Sequence, residues 1–242
     1  MINSEAFSEF EMDEFDFEGT TAVVVKPNIK PINRIAFKTE YWGDFPELEV
    51  ELLKRGFHLV HVLNHTRLAN RADIDRKVRF IDYVSEKYNL DKRCVLVGMS
   101  CGGAQAVNFA GYYPEYASVL VIDAPVLNFL DFPGRYDRFE EEFEEEFTVA
   151  YPGVKRSDIF KLDENPINRV KTLIEKRLPV IMLYGTQDET VQYPLNGRLL
   201  EEAYSENKDL LTVIQRLFQG HHPHGLLGKS NELADLVMSK LI

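Results

Sequence analysis

From residue 34 onward the chain alternates short apolar runs with stretches of helical period, and that alternation admits very few folds. "RIAFKTE" (34–40) has strand character, "PELEVELLKRG" (46–56) reads as a helix closed by Gly56, and "FHLVHVL" (57–63) is again a strand. Residues 73–89 place Val78, Ile81, Val84 and Tyr88 along one helical face. "RCVLVGM" then reads as a fully buried strand, "GGAQAVNFAGYY" as a small-residue helix and "ASVLVIDAP" (117–125) as another strand. After an interruption come "LPVIMLYG" (178–185), a helix near 195–204, "LLTVIQRLF" (210–218) and a closing helix, "NELADLVMSKLI". Strands and helices in this order form a mostly parallel sheet with helices on both faces. Ahead of them "EFDFEG" and "TAVVVKP" meet at a turn and predict an antiparallel hairpin at the sheet's edge.

With 242 residues, 45% of them hydrophobic, the chain can bury one large core, and a single domain over 1–242 is expected. The interruption, about 128–177, reads as a small lid insertion. Within it Tyr136, Phe139, Phe143 and Phe147 recur at helical spacing on an acidic helix, as an aromatic stripe that packs on the body or walls a pocket. A net charge of −11 argues against nucleic acid or an anionic membrane as partner. The two cysteines, Cys94 and Cys101, sit too close along one strand and its turn for a disulfide and read as free thiols of a reducing compartment. The first residues lack the basic and apolar regions of a signal peptide, and no apolar run reaches membrane-spanning length, so a cytoplasmic protein is expected. The oligomeric state stays open.

Three segments carry chemistry. Gly98-Met99-Ser100-Cys101-Gly102 follows a buried-type strand and opens a helix. A sharp turn there projects a serine hydroxyl beyond the sheet, and the next N–H, that of Cys101, points at a developing oxyanion. The competing reading is a tight turn whose serine is merely small. Asp188, just past the strand ending at Gly185, stands where a histidine-orienting carboxylate belongs; Glu189 is its neighbour and rival. "LFQGHHPHGLLG" supplies His221, His222 and His224 after the last strand. A metal site is one reading, disfavoured because adjacent imidazoles at this spacing rarely converge on one ion. A catalytic base is the better one, with His221 at the strand exit, His222 its rival and His224 a packing or supporting residue. The chain order serine, acid, histidine is that of α/β-hydrolases and of neither chymotrypsin nor subtilisin.

The sequence accordingly resembles the α/β-hydrolase superfamily from the opening hairpin through "GMSCGG", "DAP", "GTQDETV" and "GHHPHGL". Together with "KTEYWGDFPELEVELLKRGFHLVHV", the last two are similar to a branch of bacterial esterase-like hydrolases often found beside polysaccharide-degrading enzymes. The resemblance implies Ser100 as nucleophile, Asp188 as acid, His221 as base and the Cys101 N–H as one oxyanion donor. It places the second donor in the loop after "RIAFKTE", where many relatives carry His-Gly and this chain has Glu40-Tyr41-Trp42-Gly43; the backbone of Tyr41 or Trp42 would serve. Trp42 would stack on a sugar or aromatic acyl group, or else be core, and His222 would face substrate. The implied activity is hydrolysis of small esters, including acetyl or feruloyl esters of plant carbohydrates, with no metal or organic cofactor. A prolyl-type aminopeptidase and a non-catalytic binding protein are the alternatives.

Overall fold

The computed structural model describes residues 2, 4–132 and 141–242. Strands β1 (Glu11–Phe17) and β2 (Thr20–Lys26) form the expected antiparallel hairpin. β3 (Ile35–Lys38), β4 (His58–Val62), β5 (Cys94–Met99), β6 (Ala117–Asp123), β7 (Val180–Gly185) and β8 (Leu211–Arg216) follow. They make one eight-stranded sheet in the order β1-β2-β4-β3-β5-β6-β7-β8, in which β2 meets β4 antiparallel and every later pairing is parallel. β5, which is followed by Ser100, thus lies among parallel neighbours whose carboxyl ends all open on the same edge.

Side chains alternate across this sheet with period two. Val24, Phe37, Val60, Leu96, Leu120 and Met182 face α2 (Arg71–Tyr88) and α3 (Cys101–Tyr112), while Val25, Ala36, Leu59, Val95, Val121 and Ile181 face α1 (Glu47–Leu53) and, near the C-terminus, a last helix at Ser230–Lys240. Both faces are covered, as the near-continuous apolar strands require. α2 is the long amphipathic helix of the sequence pattern. It starts where the Asn70 side chain accepts the Asp73 N–H at 2.9 Å and ends at Asn89, whose φ of 55° is left-handed.

Among the described residues the expected insertion contains two α-helices, α4 (Glu141–Ala150) and α5 (Val170–Glu175). Phe147 is buried and Phe143 packs against Phe132 at 4.7 Å, so this part of the aromatic stripe serves packing; Tyr136 and Phe139 lie outside the described residues. Helix α6 (Gly197–Ala203) and α7, the helix at Ser230–Lys240, complete the chain. Cys94 and Cys101 are both buried free thiols. Among the described residues no helix is long and apolar enough to cross a membrane.

His61 on β4 is sealed in the core, its Nδ1–H donated to the Lys38 carbonyl at 2.8 Å, and burial pushes its pKa down to about 3. The folded imidazole therefore stays neutral while an unfolded one protonates near pH 6.5. Between those values the unfolded chain binds more protons, so stability falls as pH falls, by up to about 1.4 kcal/mol per pH unit. Urea unfolding at pH 7 and pH 5 checks this: His61→Gln should lose about 2 kcal/mol less than wild type over that interval.

Candidate active site

Ser100 stands at the junction of β5 and α3 with φ 52° and ψ −122°, a conformation that costs an L-residue about 1–3 kcal/mol. Its neighbours hold it there. The Ser100 N–H donates to the Asp123 carbonyl at 2.9 Å, and the Ser100 carbonyl accepts the N–H groups of Gly103 and Val126 at 2.9 and 3.0 Å. The glycines around it answer to close packing: a Cβ on Gly98 would lie 2.2 Å from the Gly102 carbonyl oxygen, and one on Gly103 would lie 2.4 Å from Pro125 Cβ. Positions 98 and 103 of this turn therefore admit no side chain.

Asp188 leaves the end of β7 and His221 the end of β8. Gly185 lets the two exits touch, since a Cβ there would fall 2.2 Å from the Gly220 carbonyl oxygen. His221 Nδ1 lies 2.8 Å from Asp188 Oδ2, and Nε2 lies 3.1 Å from Ser100 Oγ. The other carboxylate oxygen of Asp188 accepts the N–H groups of Thr190 and Val191, both at 2.9 Å. With a carboxylate at Nδ1, the neutral ring carries its proton there and turns a lone pair toward the serine hydroxyl. All three side chains are nearly buried. The structure therefore brings Ser100, Asp188 and His221 together, and leaves Glu189 and His222 outside that chain of contacts.

His222 is exposed and stacks on Phe45 at 5.6 Å and 12°; desolvation and the two neighbouring imidazoles lower its pKa. His224 is buried with Nδ1 3.3 Å from Asp123 Oδ1. The three rings nonetheless converge, with one nitrogen of each within 4.8 Å of the others, closer than their spacing in sequence led us to expect.

Sequence reasoning missed the clamp beneath this loop. Arg216, the last residue of β8, is buried and reaches Asp123 at the end of β6 through both terminal nitrogens, at 2.6 and 3.0 Å. It also donates to the carbonyls of Pro223 at 2.6 Å and Gly225 at 3.2 Å, and the Gly225 N–H returns to Asp123 Oδ2 at 2.6 Å. One ion pair thus fastens the histidine loop to the strand beside the elbow. The signal was an arginine inside a predicted strand and an aspartate in "DAP", which nothing local links.

The loop after β3 differs in part from expectation. Cys101 is the first residue of α3, so its N–H has no carbonyl a turn earlier to meet. Its thiol is sealed, bonded to the Tyr41 hydroxyl and pushed up to about 12 by burial, which leaves it inert beside Ser100. Tyr41, with φ 55°, donates its N–H to its neighbour Glu40 at 3.2 Å. Glu40 in turn bonds Asn64, and Asn64 meets the buried Lys77, whose pKa desolvation lowers to about 8. Of the two readings of Trp42, the contacts agree with packing. Its ring lies between Phe7 (4.8 Å) and His61 (5.4 Å) and its indole N–H goes to Ser4 at 2.9 Å, so its faces are spent on packing rather than open to a sugar. Beside this loop Arg67 ties α4 to the body through Glu146 at 2.6 and 2.8 Å and lies over the Phe143 ring at 4.4 Å.

No protein-family model and no curated protein matches the sequence. Solved structures do match. The S-formylglutathione hydrolase of Agrobacterium tumefaciens superposes with a TM-score of 0.69 at 15% identity, over 95% of this chain and 94% of that one. Est1E of Butyrivibrio proteoclasticus gives 0.67 at 14% identity, over 95% and 98%. The chain has the α/β-hydrolase fold. A Bacteroides ovatus protein described as a dipeptidyl aminopeptidase IV also shares this fold (TM-score 0.67, 14% identity), but the match spans 96% of this chain and only 35% of that longer one. In α/β-hydrolase terms Ser100 occupies the strand-to-helix elbow after β5, and Asp188 and His221 the two later strand exits.

Proposed function

We propose that the protein is a serine hydrolase of small carboxylic esters. The observation that carries this reading is the unbroken contact from Asp188 Oδ2 through both nitrogens of His221 to Ser100 Oγ, on a strained strand-to-helix turn. Ser100 gives its proton to His221 Nε2 as Oγ bonds to the ester carbonyl carbon, and Asp188 stabilises the imidazolium. The oxyanion takes the Cys101 N–H at the head of α3 and the Tyr41 N–H, which exchanges Glu40 for it. As the C–O bond breaks, His221 returns the proton to the departing alkoxide and an alcohol leaves. Water then repeats the sequence on the acyl-enzyme, with His221 taking its proton and handing it back to Ser100.

The fold shared with an S-formylglutathione hydrolase and with Est1E supports ester chemistry. The acyl groups we favour, acetyl and feruloyl, rest on the sequence resemblance. A panel of nitrophenyl acetate, butyrate and longer esters, methyl ferulate and aminoacyl anilides tests the reading. Short-chain or feruloyl esters should turn over fastest. Faster cleavage of the amides would replace the esterase by a peptidase. Failure to turn over any substrate or to react with a fluorophosphonate would leave a binding protein.

A further inference from the structure

We propose that His221, His222 and His224 form a site for a divalent transition metal of the Zn2+ class, and that an ion bound there switches off the proposed hydrolysis by capturing its base. One ring nitrogen of each histidine lies within 4.8 Å of the other two. Ligation at the 2.0–2.1 Å usual for zinc and imidazole asks the separations to close by up to roughly 1.5 Å, within reach of side-chain rotation on a glycine- and proline-bounded loop. Imidazole donors of this kind suit Zn2+, Co2+, Ni2+ and Cu2+.

What lies behind the rings strengthens the assignment. Histidine ligands usually turn their second nitrogen to a carboxylate, which fixes the ring and raises its donor strength. His221 does so, with Nδ1 2.8 Å from Asp188, and His224 Nδ1 lies near a carboxylate, 3.3 Å from Asp123, without a hydrogen bond to it. Each of these rings then has Nε2 to offer. The third, His222, is exposed and gives an ion its route in. His221 Nε2 is also the nitrogen bonded to Ser100 Oγ, and one lone pair cannot serve both, so metal and serine exclude each other.

The inhibitory consequence rests on the proposed function; the binding does not. Chelator-stripped protein titrated with Co2+ should show one equivalent bound, with the visible spectrum of a histidine-ligated ion. His222→Gln should weaken that binding about ten-fold or more. Ser100→Ala, which frees Nε2 of the hydroxyl, should bind at least as tightly as wild type. Added Zn2+ should remove ester hydrolysis in step with occupancy, and chelator should restore it. Absence of a Co2+ spectrum, or equal binding by His222→Gln, overturns the site. Weaker binding by Ser100→Ala, or full hydrolysis by the loaded protein, overturns the competition. Co2+ binding by a protein that hydrolyses no ester leaves the site standing and removes the esterase reading; hydrolysis without binding does the reverse.

Discussion

Ser100→Ala should abolish turnover of a short-chain nitrophenyl ester, a loss on the order of a million-fold, together with labelling by a fluorophosphonate. The variant removes one oxygen and keeps the Cβ, so the strained elbow and its three backbone hydrogen bonds stay in place. Its thermal midpoint should therefore match wild type. Activity or labelling that persists in a folded Ser100→Ala protein would remove Ser100 from the mechanism, and Cys101 offers no substitute, since its thiol is sealed and held protonated.

Arg216→Met carries the second large effect. It strands the buried Asp123 carboxylate and leaves the Pro223 carbonyl without its 2.6 Å donor. Breaking a buried pair from one side costs roughly 3–5 kcal/mol, which for a chain of this size lowers the melting midpoint by about 10 °C. Turnover should fall further than stability explains, by about a hundred-fold, because His221 rides on the released loop and a displacement of about 1 Å at a reacting group costs that much. The double variant Arg216→Met/Asp123→Leu separates the two consequences. Replacing both charges with apolar side chains should recover most of the midpoint, yet turnover should stay low because the loop's backbone groups still lack partners. A single variant with wild-type melting and turnover would show that the clamp holds nothing.

Much of this architecture was readable because it is written locally. Alternation at period two and at 3.6 marks strands and helices wherever one face is buried, and Gly56 punctuates them. Ser100, Asp188 and His221 were each visible because each follows an apolar run, and their order along the chain supplied what single motifs lacked. Contacts between distant segments leave no such trace. Nothing near Arg216 announces Asp123, 93 residues away, and nothing near Trp42 says that Phe7 and Ser4 of the N-terminal segment will occupy its ring and its N–H. The bond from the Tyr41 N–H to Glu40 depends on side-chain direction, which spacing does not encode.

Asp123 binds in two directions at once: its main-chain oxygen receives the Ser100 N–H, and its carboxylate receives Gly225 and Arg216 of the histidine loop. The serine of the elbow and the loop that carries His221 are thus fastened to one residue. A displacement of Asp123 would therefore be expected to carry the elbow and the histidine loop together, where two independently anchored loops could drift apart.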